Sequence, residues 1–351
     1  MESFDVIGLM SGTSLDGLDI AYCNFKFDNK WHFSLVHHET VSYSREQKYA
    51  LANLENETAI NYALFHVEFG KLTGNNVNKF IKKNKITNVD FIASHGHTIF
   101  HQPLNNLTTQ IGCGAQIAAT TGIETICDFR TKDIALGGQG APLVPVGDEL
   151  LFSEYDYCLN LGGIANISFK EKGKRISYDL AMANIVNNYI CRLEGIEYDD
   201  KGKLGASGNF HQNLYTDLNA IAFFSKAHPK SLGKENFINN FKPILDKYDI
   251  SNADKLNTFG KHLAHQICKI LSSNSDKKAL ITGGGAFNTF WISEIKQTTN
   301  TQIIIPDDKT IEYKEAIIFG FLGVLRKKQL VNCLATVTGA KEDSIGGTIY
   351  L

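Results

Sequence analysis

Hydrophobic residues along the chain form short runs with strand-like patterns, and these runs alternate with longer stretches of helical periodicity. The strand-like runs fall at residues 4–9, 19–25, 90–93, 123–127, 156–161, 279–282 and 302–305. The helix-like stretches fall at residues 45–84, 113–121, 183–195, 213–226, 254–273 and 312–328. Because strands that alternate with helices are typical of α/β proteins, the pattern predicts this class.

Two parts of the chain share one local pattern. Residues 5–24 and residues 156–170 each contain an apolar strand, a tight turn of Gly, Ser, Thr or Asn, and a second strand. This repetition predicts two similar halves. The Gly/Pro-rich segment 137–145 has the composition of a boundary between them.

The predicted boundary divides the chain into two domains. We expect an N-terminal domain over residues 1–145 and a C-terminal domain over residues 146–330, with residues 331–351 packing back onto the first domain. No Ser/Gly-rich linker separates the halves, which favours a packed hinge over a flexible tether. The cleft between two such halves is the natural place for a ligand.

Composition and charge narrow the class of protein. The chain has 351 residues with 43% hydrophobic residues, which excludes disorder, and 35 basic against 37 acidic side chains, which gives no reason to expect a nucleic-acid partner. The longest apolar stretch, residues 316–325, is too short to span a membrane, and the first ten residues lack the basic start of a signal peptide. Seven scattered cysteines without a CxxC pair fit reduced thiols. We therefore expect a cytoplasmic protein without a membrane partner.

Three glycine turns carry the strongest indication of a ligand. The segments GLMSGTSLDGLD at 8–19, NLGGIAN at 160–166 and TGGGAFN at 282–288 each follow or end an apolar strand. Backbone N–H groups and hydroxyls in such turns can bind phosphate, although an ordinary hairpin explains the first segment equally well when it is taken alone. Three such turns favour a nucleotide, whereas a Walker P-loop and a GxGxxG dinucleotide motif are both absent.

Polar residues at strand ends supply candidate chemistry. His95 and His97 lie on one face of an extended segment, but no Cys or carboxylate with ligand spacing accompanies them, which disfavours zinc. Asp128 and Arg130 end an apolar strand, where they are either active-site groups or an exposed ion pair. Asp179 follows the predicted strand ISY and precedes a helix predicted near residue 183, a position that suits a helix N-cap and a general base equally.

Seven segments, taken together and in order, resemble the anhydro-N-acetylmuramic acid kinases over nearly the whole chain. They are GLMSGTSLDGLD (8–19), SHGHTIFHQP (94–103), DFRTKDIALGGQGAPLVP (128–145), NLGGIANIS (160–168), YDDKGKLGASG (198–208), TGGGAFN (282–288) and YKEAIIFGFLG (313–323). The first and third segments are the most specific.

The resemblance implies both a fold and a reaction. That family is similar to actin, Hsp70 and hexokinase, with two ribonuclease-H-like α/β domains and the active site in the interdomain cleft. Its members use ATP and Mg2+ to phosphorylate O6 of an anhydro-amino-sugar while water opens the 1,6-anhydro bond, and the product is N-acetylmuramic acid 6-phosphate. A small-molecule anhydro-amino-sugar is therefore the expected substrate. We also expect a homodimer.

The resemblance also implies roles for particular residues. The expected catalytic base is Asp179, and Asp16 is expected to bind Mg2+ through water. The residues expected to bind ATP are Gly12, Thr13, Ser14, Leu15, Asp16, Gly17, Leu18 and Asp19 in the first phosphate loop, Gly162 and Gly163 in the second, and Gly283, Gly284, Gly285 and Asn288 in the adenosine loop. The residues expected to contact the sugar are Ser94, His95, Gly96, His97, Arg130 and Glu315.

One segment departs from the family pattern. Where the family has DTGPGN, residues 179–184 of this chain are DLAMAN. Alanine in place of the two glycines is expected to alter the turn or to cost about 1 kcal/mol per residue, and the bulkier Leu180 and Met182 are expected to narrow the sugar site. Two alternatives stay open from the sequence: an ATP-binding module of the Hsp70 or actin type, and an inactive paralogue that senses sugars.

Overall fold

The chain forms two compact units, each with its own sheet. The structure is a computed structural model that describes residues 2–271 and 276–351. Unit 1 consists of Met1–Phe152 and Tyr313–Leu351, and unit 2 consists of Ser153–Glu312. The domain limits expected from the sequence stay a prediction.

Twelve strands are described, and more of the chain is extended than the hydrophobic runs indicate. The strands are β1 (Glu2–Ser11), β2 (Gly17–Phe27), β3 (Trp31–Ser42), β4 (Phe91–Gln102), β5 (Leu107–Ile111), β6 (Thr125–Cys127), β7 (Tyr157–Leu161), β8 (Ile164–Glu171), β9 (Lys174–Met182), β10 (Lys278–Thr282), β11 (Gln302–Ile304) and β12 (Thr348–Tyr350).

The sheet of unit 1 combines a three-stranded meander with parallel strands. Its order is β12-β6-β4-β1-β2-β3, and β5 pairs with β4 outside this path. Strands β1, β2 and β3 are antiparallel to their neighbours, whereas β4 is parallel to β1 and β6 is parallel to β4. Strand β12, from the last residues of the chain, pairs with β6, so the C-terminal segment lies in unit 1.

The sheet of unit 2 repeats this topology. Its order is β11-β10-β7-β8-β9, with β7, β8 and β9 antiparallel, β10 parallel to β7 and β11 parallel to β10. In both units a meander of three strands is extended by two strands parallel to the first, which is the ribonuclease-H-like arrangement. The predicted α/β class with two ribonuclease-H-like halves is confirmed.

Helices cover the sheets and begin at recognisable caps. Ser44 forms a capping box with Gln47 at the start of α1, Thr58 caps α2, and Ser251 caps α11. The helices are α1 (Arg45–Asn53), α2 (Ala59–Asn84), α3 (Gly114–Thr121), α4 (Thr131–Ala135), α5 (Val144–Leu150), α6 (Asn184–Leu193), α7 (Lys203–Ser207), α8 (Gln212–Asn219), α9 (Lys234–Asn236), α10 (Lys242–Lys247), α11 (Asn252–Cys268), α12 (Thr289–Thr298), α13 (Asp308–Lys327) and α14 (Ala335–Thr338).

Helix boundaries differ from the expected ones where polar residues interrupt the pattern. The stretch 45–84 is two helices, because a 3-10 turn at Leu54–Asn56 precedes the new cap at Thr58. The predicted helix 254–273 is observed to Cys268, and its last two positions lie outside the described residues. Over residues 2–271 and 276–351, no helix is both long and apolar enough to cross a bilayer.

Each unit has its own hydrophobic core. In unit 1, Ile7 and Leu9 of β1 and Ile92 of β4 have no exposed surface and pack with side chains of α2 and α3. In unit 2, Leu159 of β7 and Ile281 of β10 pack with α6, α11 and α12 in the same way. The glycine turns of the predicted site follow these buried strands, so the cores fix the positions from which the turns begin.

Candidate active site

The first glycine turn is a hairpin in unit 1 with polar groups at its tip. It joins β1 to β2, as the sequence predicts, and Leu15 takes a positive φ of 62°. The N–H of Leu15 donates to the Gly12 carbonyl oxygen over 3.2 Å. The side chains of Thr13, Ser14 and Asp16 are exposed. The turn therefore presents two hydroxyls and one carboxylate to solvent.

A buried hydrogen-bond chain supports the start of this turn. The Ser11 hydroxyl lies 2.7 Å from the Tyr43 hydroxyl and 2.8 Å from His97 Nδ1. Burial lowers the pKa of His97 to about 4, so the ring is neutral near pH 7. The predicted sugar-contacting residue His97 thus contacts Ser11 at the base of the first turn and acts there as a neutral anchor.

Arg130 and His95 form a second polar pair in unit 1. Arg130 Nε donates to His95 Nε2 over 3.0 Å, and Arg130 Nη1 donates to the Gly140 carbonyl oxygen over 2.6 Å. Because His95 Nε2 accepts this bond, its proton lies on Nδ1, which donates to the Gly96 carbonyl oxygen over 2.9 Å. Burial and the Arg130 charge hold the pKa of His95 well below its usual value. The neutral imidazole therefore orients the guanidinium.

Glu315 contributes an acid to the same part of unit 1. Its side chain is accessible to solvent, yet desolvation by the surrounding protein raises its pKa, and the Asp19 carboxylate raises it further. Arg130 and Lys314 act in the opposite direction. Burial lowers the pKa of Arg130 to about 10, so the guanidinium stays charged at neutral pH. Three of the expected residues, Arg130, Glu315 and Asp19, are therefore coupled electrostatically.

The remaining predicted residues of the 94–97 loop have local roles. Ser94 is buried, and its hydroxyl accepts a hydrogen bond from the Gly96 N–H over 3.2 Å. Gly96 has a φ of +77°, and a Cβ there would lie 2.5 Å from the Ile111 carbonyl oxygen. These contacts explain why a small residue occupies position 96. The expected contacts of Ser94 and Gly96 with a sugar stay a prediction.

Two buried acids in unit 1 were missed by sequence reasoning. Asp133 accepts hydrogen bonds from the Gly140 N–H over 2.7 Å and from the Thr338 hydroxyl over 2.7 Å. It thereby connects the segment that contains Arg130 with the C-terminal segment. Asp148 forms an ion pair of 2.8 Å with Lys314, and both side chains are at least nine-tenths buried. Asp133 lies in the family-like segment 128–145, which could have indicated it, whereas Asp148 lies outside the seven segments.

In unit 2, the second and third glycine turns lie side by side. Asn160 at the end of β7 pairs with Thr282 at the end of the parallel strand β10, so both turns leave the same edge of the sheet. Gly283 has a φ of +79°, and a Cβ at this position would lie 2.5 Å from Asn160 Oδ1. A Cβ at Gly285 would lie 2.7 Å from Leu161 Cβ. These close approaches require glycine.

Helix α6 holds the second turn in place. The N–H groups of Ala183 and Ile185 donate to the Gly163 carbonyl oxygen over 3.0 and 3.1 Å, and the Asn184 N–H donates to the Gly162 carbonyl oxygen over 3.1 Å. These three N–H groups at the start of the helix, which have no partner within the helix, thus donate to the carbonyl oxygens of the turn. The second turn is consequently a rigid backbone structure, and the start of α6 does not offer these donors to a phosphate.

Asn288, expected in the adenosine loop, has a structural contact. It is the N-cap of α12, and its Oδ1 accepts a hydrogen bond from the Trp291 N–H over 3.0 Å. Its side chain is buried, and a Cβ at Gly202 would lie 2.1 Å from the same oxygen. Asn288 therefore fixes the third turn to α12, and its expected contact with ATP stays a prediction.

Asp179 lies elsewhere than the sequence suggested. It is inside β9, which continues to Met182, whereas the sequence placed it between a strand and a helix. Helix α6 begins at Asn184 with Ala183 as N-cap, so Asp179 does not cap it. Asp179 Oδ2 accepts a hydrogen bond from the Leu232 N–H over 2.8 Å. Burial raises the pKa of Asp179, and this hydrogen bond lowers it in part. The capping alternative is thereby removed.

The residues that replace the family's glycines and proline are accommodated in the strand. Leu180 and Met182 are buried in the core of unit 2. The expectation that they narrow a sugar site stays a prediction. Ala181 pairs with Ala165 of β8, and neither Ala181 nor Ala183 has a positive φ. The alanines therefore carry no left-handed strain, because the strand continues where a glycine turn was expected.

The donor groups at the first turn fit a hydrated magnesium ion. Among the residues that the structure describes, no group of three His, Cys, Asp or Glu side chains could hold a metal by itself. Mg2+ in phosphoryl transfer needs only one or two carboxylates, because waters and phosphates complete its octahedron. The exposed carboxylate of Asp16, next to two hydroxyls, has this chemistry.

Comparison with known proteins identifies the family. A duplicated ribonuclease-H-like sheet with glycine turns at the strand ends is the architecture of the sugar kinases and actin-like ATPases. The family model "Anhydro-N-acetylmuramic acid kinase" matches residues 4–351. The chain belongs to the anhydro-N-acetylmuramic acid kinase family.

Relatives of that name are similar over almost their full length. The protein from Mannheimia succiniciproducens is 32% identical over 372 residues, which cover 98% of both chains. The protein from Sulfurimonas denitrificans is 33% identical over 371 residues, again 98% of both chains. A protein from Coxiella burnetii is 34% identical over 367 residues, which cover 98% of this chain and 96% of the relative.

Solved structures of other families are more distant. Component A of (R)-2-hydroxyglutaryl-CoA dehydratase from Acidaminococcus fermentans has a TM-score of 0.46 and 9% identity, with 90% of this chain and 95% of that chain covered. A ROK family glucokinase from Streptomyces griseus, in complex with glucose and AMPPNP, has a TM-score of 0.40 and 10% identity, with 91% and 98% covered.

Proposed function

We propose that the protein uses ATP and Mg2+ to open the 1,6-anhydro ring of anhydro-N-acetylmuramic acid with water and to phosphorylate O6. The observation that carries this proposal is the Asp179 carboxylate, which is partly buried and has a raised pKa. A carboxylate whose pKa is shifted toward neutrality is a stronger base than an exposed one, and attack of water on an anomeric carbon requires a base.

The proposed reaction balances as a coupled displacement. Asp179 takes a proton from water, the water oxygen bonds to C1, and the bond between C1 and O6 breaks. O6 bonds to the γ-phosphorus of ATP, and ADP leaves. The products are N-acetylmuramic acid 6-phosphate and ADP, and the proton passes from Asp179 to solvent. The anhydro ring thus supplies its own acceptor oxygen for the phosphoryl group.

The proposed ATP-side roles are supported by the geometry of the three turns. The exposed side chains of Thr13 and Ser14 present two hydroxyls that suit phosphate. Asp16 would hold the hydrated Mg2+, whose charge neutralises phosphate oxygens when it is bound. The rigid turns at Gly162 and Gly283 would position the nucleotide by their backbone. Glycine in both turns allows the close approach that phosphate binding needs.

The sugar-side roles rest on Arg130 and Glu315. Two of the five N–H donors of Arg130 are used on His95 and Gly140, so the guanidinium is held in place while other donors remain for a ligand. Glu315 is solvent-accessible and carries a carboxyl beside this guanidinium. The pair offers a donor and an acceptor to the hydroxyl, N-acetyl or lactyl groups of an amino sugar.

The proposal is tested by ATP turnover with a panel of sugars. We expect ADP release to depend on anhydro-N-acetylmuramic acid, and the product mass to equal that of the anhydro-sugar plus water and a phosphoryl group. Glucose and N-acetylglucosamine should give no turnover above background. Equal ADP release with and without sugar would favour an ATP-binding module of the Hsp70 type, and sugar binding without any turnover would favour a sensor.

A further inference from the structure

The segment Lys230–Leu232 holds the outer edge of β9 at Asp179. Within the described part of unit 2, β9 is the last strand of the sheet and pairs along its length with β8 alone. The Asp179 N–H donates to the Lys230 carbonyl oxygen over 3.1 Å, and the Leu232 N–H donates to Asp179 Oδ2 over 2.8 Å. The same short segment therefore holds both the main chain and the side chain of Asp179.

We propose that Leu232 is a positioning residue for Asp179: its main-chain N–H fixes Oδ2 and leaves Oδ1 as the oxygen that receives the proton. The inference rests on the proposed function, because it assigns a purpose to the geometry of the proposed base. Within the described residues, Asp179 Oδ1 makes no hydrogen bond to the protein. The carboxylate is thus anchored through one oxygen only.

Packing makes this contact stable. The Leu232 side chain is buried in the core of unit 2 together with Leu180, the residue after Asp179. The pairing of β8 with β9 shifts between Ala165 and Asn166, which leaves Leu180 as an extra residue next to Asp179. Such a bulge re-aims the neighbouring side chain. The bulge and the buried leucines therefore set the direction of the carboxylate toward the Leu232 N–H.

The electrostatic surroundings of Asp179 make the Leu232 N–H an important influence on the pKa of this carboxylate. On β8, the residue paired with Asp179 is the uncharged Asn166. The Lys230 ammonium lies over the Phe223 ring at 4.6 Å, and His228 stacks on Tyr178 at 5.1 Å. The pKa of Asp179 is raised by burial and lowered by the Leu232 hydrogen bond. A donor to the carboxylate favours the ionised form that a base requires.

The contact can be removed without removing the leucine. Replacement of the Leu232 amide by an ester, through incorporation of the corresponding α-hydroxy acid, deletes the N–H and keeps the buried side chain. Leu232→Pro deletes the same donor and serves as a second, genetically simple variant. We expect the pKa of Asp179 to rise in either variant that folds, because the carboxylate loses its donor while its burial stays the same.

Two readouts separate this inference from the proposed function. The first is the carboxyl 13C chemical shift of labelled aspartate, titrated with pH and assigned by its loss in Asp179→Asn, which needs no turnover. The second is the acid limb of the kcat profile with ATP and anhydro-N-acetylmuramic acid. If the NMR titration shifts upward while the protein shows no sugar-dependent turnover, the proposed function fails and the positioning contact stands.

The matched control is Lys230→Met. Lys230 contacts Asp179 through its main-chain carbonyl, so this variant removes a nearby charge and keeps both hydrogen bonds. We expect its Asp179 titration to equal that of the wild type. An Asp179 pKa that stays unchanged in the folded ester variant would overturn the inference, and so would an equal shift in Lys230→Met, because a general charge effect would then explain it.

Discussion

The two units have the same sheet topology but use it differently at their first hairpin. In unit 1, the turn between β1 and β2 ends in exposed Thr13, Ser14 and Asp16. In unit 2, the equivalent turn between β7 and β8 is the short Gly162–Gly163 turn, whose carbonyl oxygens are bonded to α6. The first hairpin turn thus presents polar and charged side chains in unit 1, whereas in unit 2 it is a rigid backbone turn.

The acids follow the same division. Unit 1 has Asp16, Asp19 and Glu315 near its predicted site, with Arg130 as the opposing charge. Unit 2 has Asp179, whose pKa is set by burial and one N–H donor. The two sheets are alike, so the chemistry of this duplicated fold depends on a few side chains that differ between the units and lie on different elements.

The largest expected effect is that of Asp179→Asn, which removes the base of unit 2. Asparagine can still accept the Leu232 hydrogen bond through its amide oxygen, so we expect the fold and sugar binding to be kept. The value of kcat should fall on the order of 10^2- to 10^4-fold, the usual contribution of a general base. Single-turnover kinetics with calorimetric sugar binding measure both quantities.

The matched control for this variant is Asp249→Asn, at an exposed position of unit 2. It should turn over like the wild type. A near-normal kcat in Asp179→Asn would return this residue to a purely structural role and would leave unit 1 as the source of the base.

Acid should destabilise unit 1 more than unit 2. His95 and His97 in unit 1, and His262 in unit 2, have folded-state pKa values lowered by burial, to about 4 for His97 and about 3 for His262. In the unfolded state these histidines bind protons at a higher pH than in the folded state. Their full contribution to the free energy of unfolding is therefore present above pH 6.5. It falls as the pH drops below that value, by about 2 kcal/mol per histidine at pH 5. Asp179 and Glu315, with raised pKa values, act oppositely and lie one in each unit.

The chain offers a separate probe for each unit. Its two tryptophans are buried, Trp31 in unit 1 and Trp291 in unit 2. Urea unfolding of Trp31→Phe and Trp291→Phe at pH 7.5 and pH 5, followed by fluorescence, reports the units one at a time. A larger acid-induced loss at Trp31 than at Trp291 is expected, and equal losses would refute the assignment of two neutral histidines to the unit 1 site.

The rigidity of the unit 2 turns can be broken by one methyl group. Gly283→Ala places a Cβ 2.5 Å from Asn160 Oδ1 at a φ of +79°, so we expect a loss of about 2–3 kcal/mol in the free energy of unfolding. Gly173→Ala has a φ of +78° with no atom within 4 Å and should lose about 1 kcal/mol. Urea denaturation measures the free energy of unfolding of both variants. Because the two glycines have nearly the same φ, the difference between the two losses gives the steric cost of the added methyl group.

The corresponding change in unit 1 is Gly12→Ala. A Cβ there would lie 3.5 Å from Ser14 Oγ, an ordinary contact, and Gly12 does not have a positive φ. We expect its stability to match that of the wild type within about 0.5 kcal/mol. If Gly12→Ala were as destabilising as Gly283→Ala, the distinction between an open first turn and a rigid third turn would be lost.

The smallest effect on stability is expected for Asp16→Ala. The side chain is exposed, so the free energy of unfolding should change by less than about 0.5 kcal/mol. The KM for ATP should rise, and more Mg2+ should be needed for half-maximal rate, because Asp16 is the proposed metal-binding carboxylate. Initial rates across Mg2+ and ATP concentrations measure this. Glu55→Ala, at another exposed acid of unit 1, is the control. Equal kinetics in the two variants would contradict the proposal that Asp16 holds Mg2+.

The sequence predicts the topology better than the site contacts. Buried strands such as β1 and β7, with their glycine turns, follow from hydrophobic runs and turn residues. The half-exposed edge strand β3 was missed because its alternating His, Ser, Glu and Thr positions resemble a polar loop. Strand β9 was ended too early, because its bulge at Leu180 breaks the alternation on which the prediction depends.

Contacts between distant residues could not be predicted in this way. Asp179 and Leu232 are 53 positions apart, and their hydrogen bond depends on how an irregular segment runs along β9. The Asp148–Lys314 pair likewise joins two helices that only the fold of unit 1 brings together. Sequence patterns record local periodicity, whereas these contacts depend on tertiary packing.

The central claim is that water opens the anhydro ring as O6 is phosphorylated. The most direct measurement is mass spectrometry of the products formed in 18O-labelled water with ATP, Mg2+ and anhydro-N-acetylmuramic acid. The account predicts one 18O atom at C1 of the sugar phosphate and none in its phosphoryl group. Label in inorganic phosphate together with an unchanged anhydro-sugar would contradict it, because ATP would then be hydrolysed without ring opening.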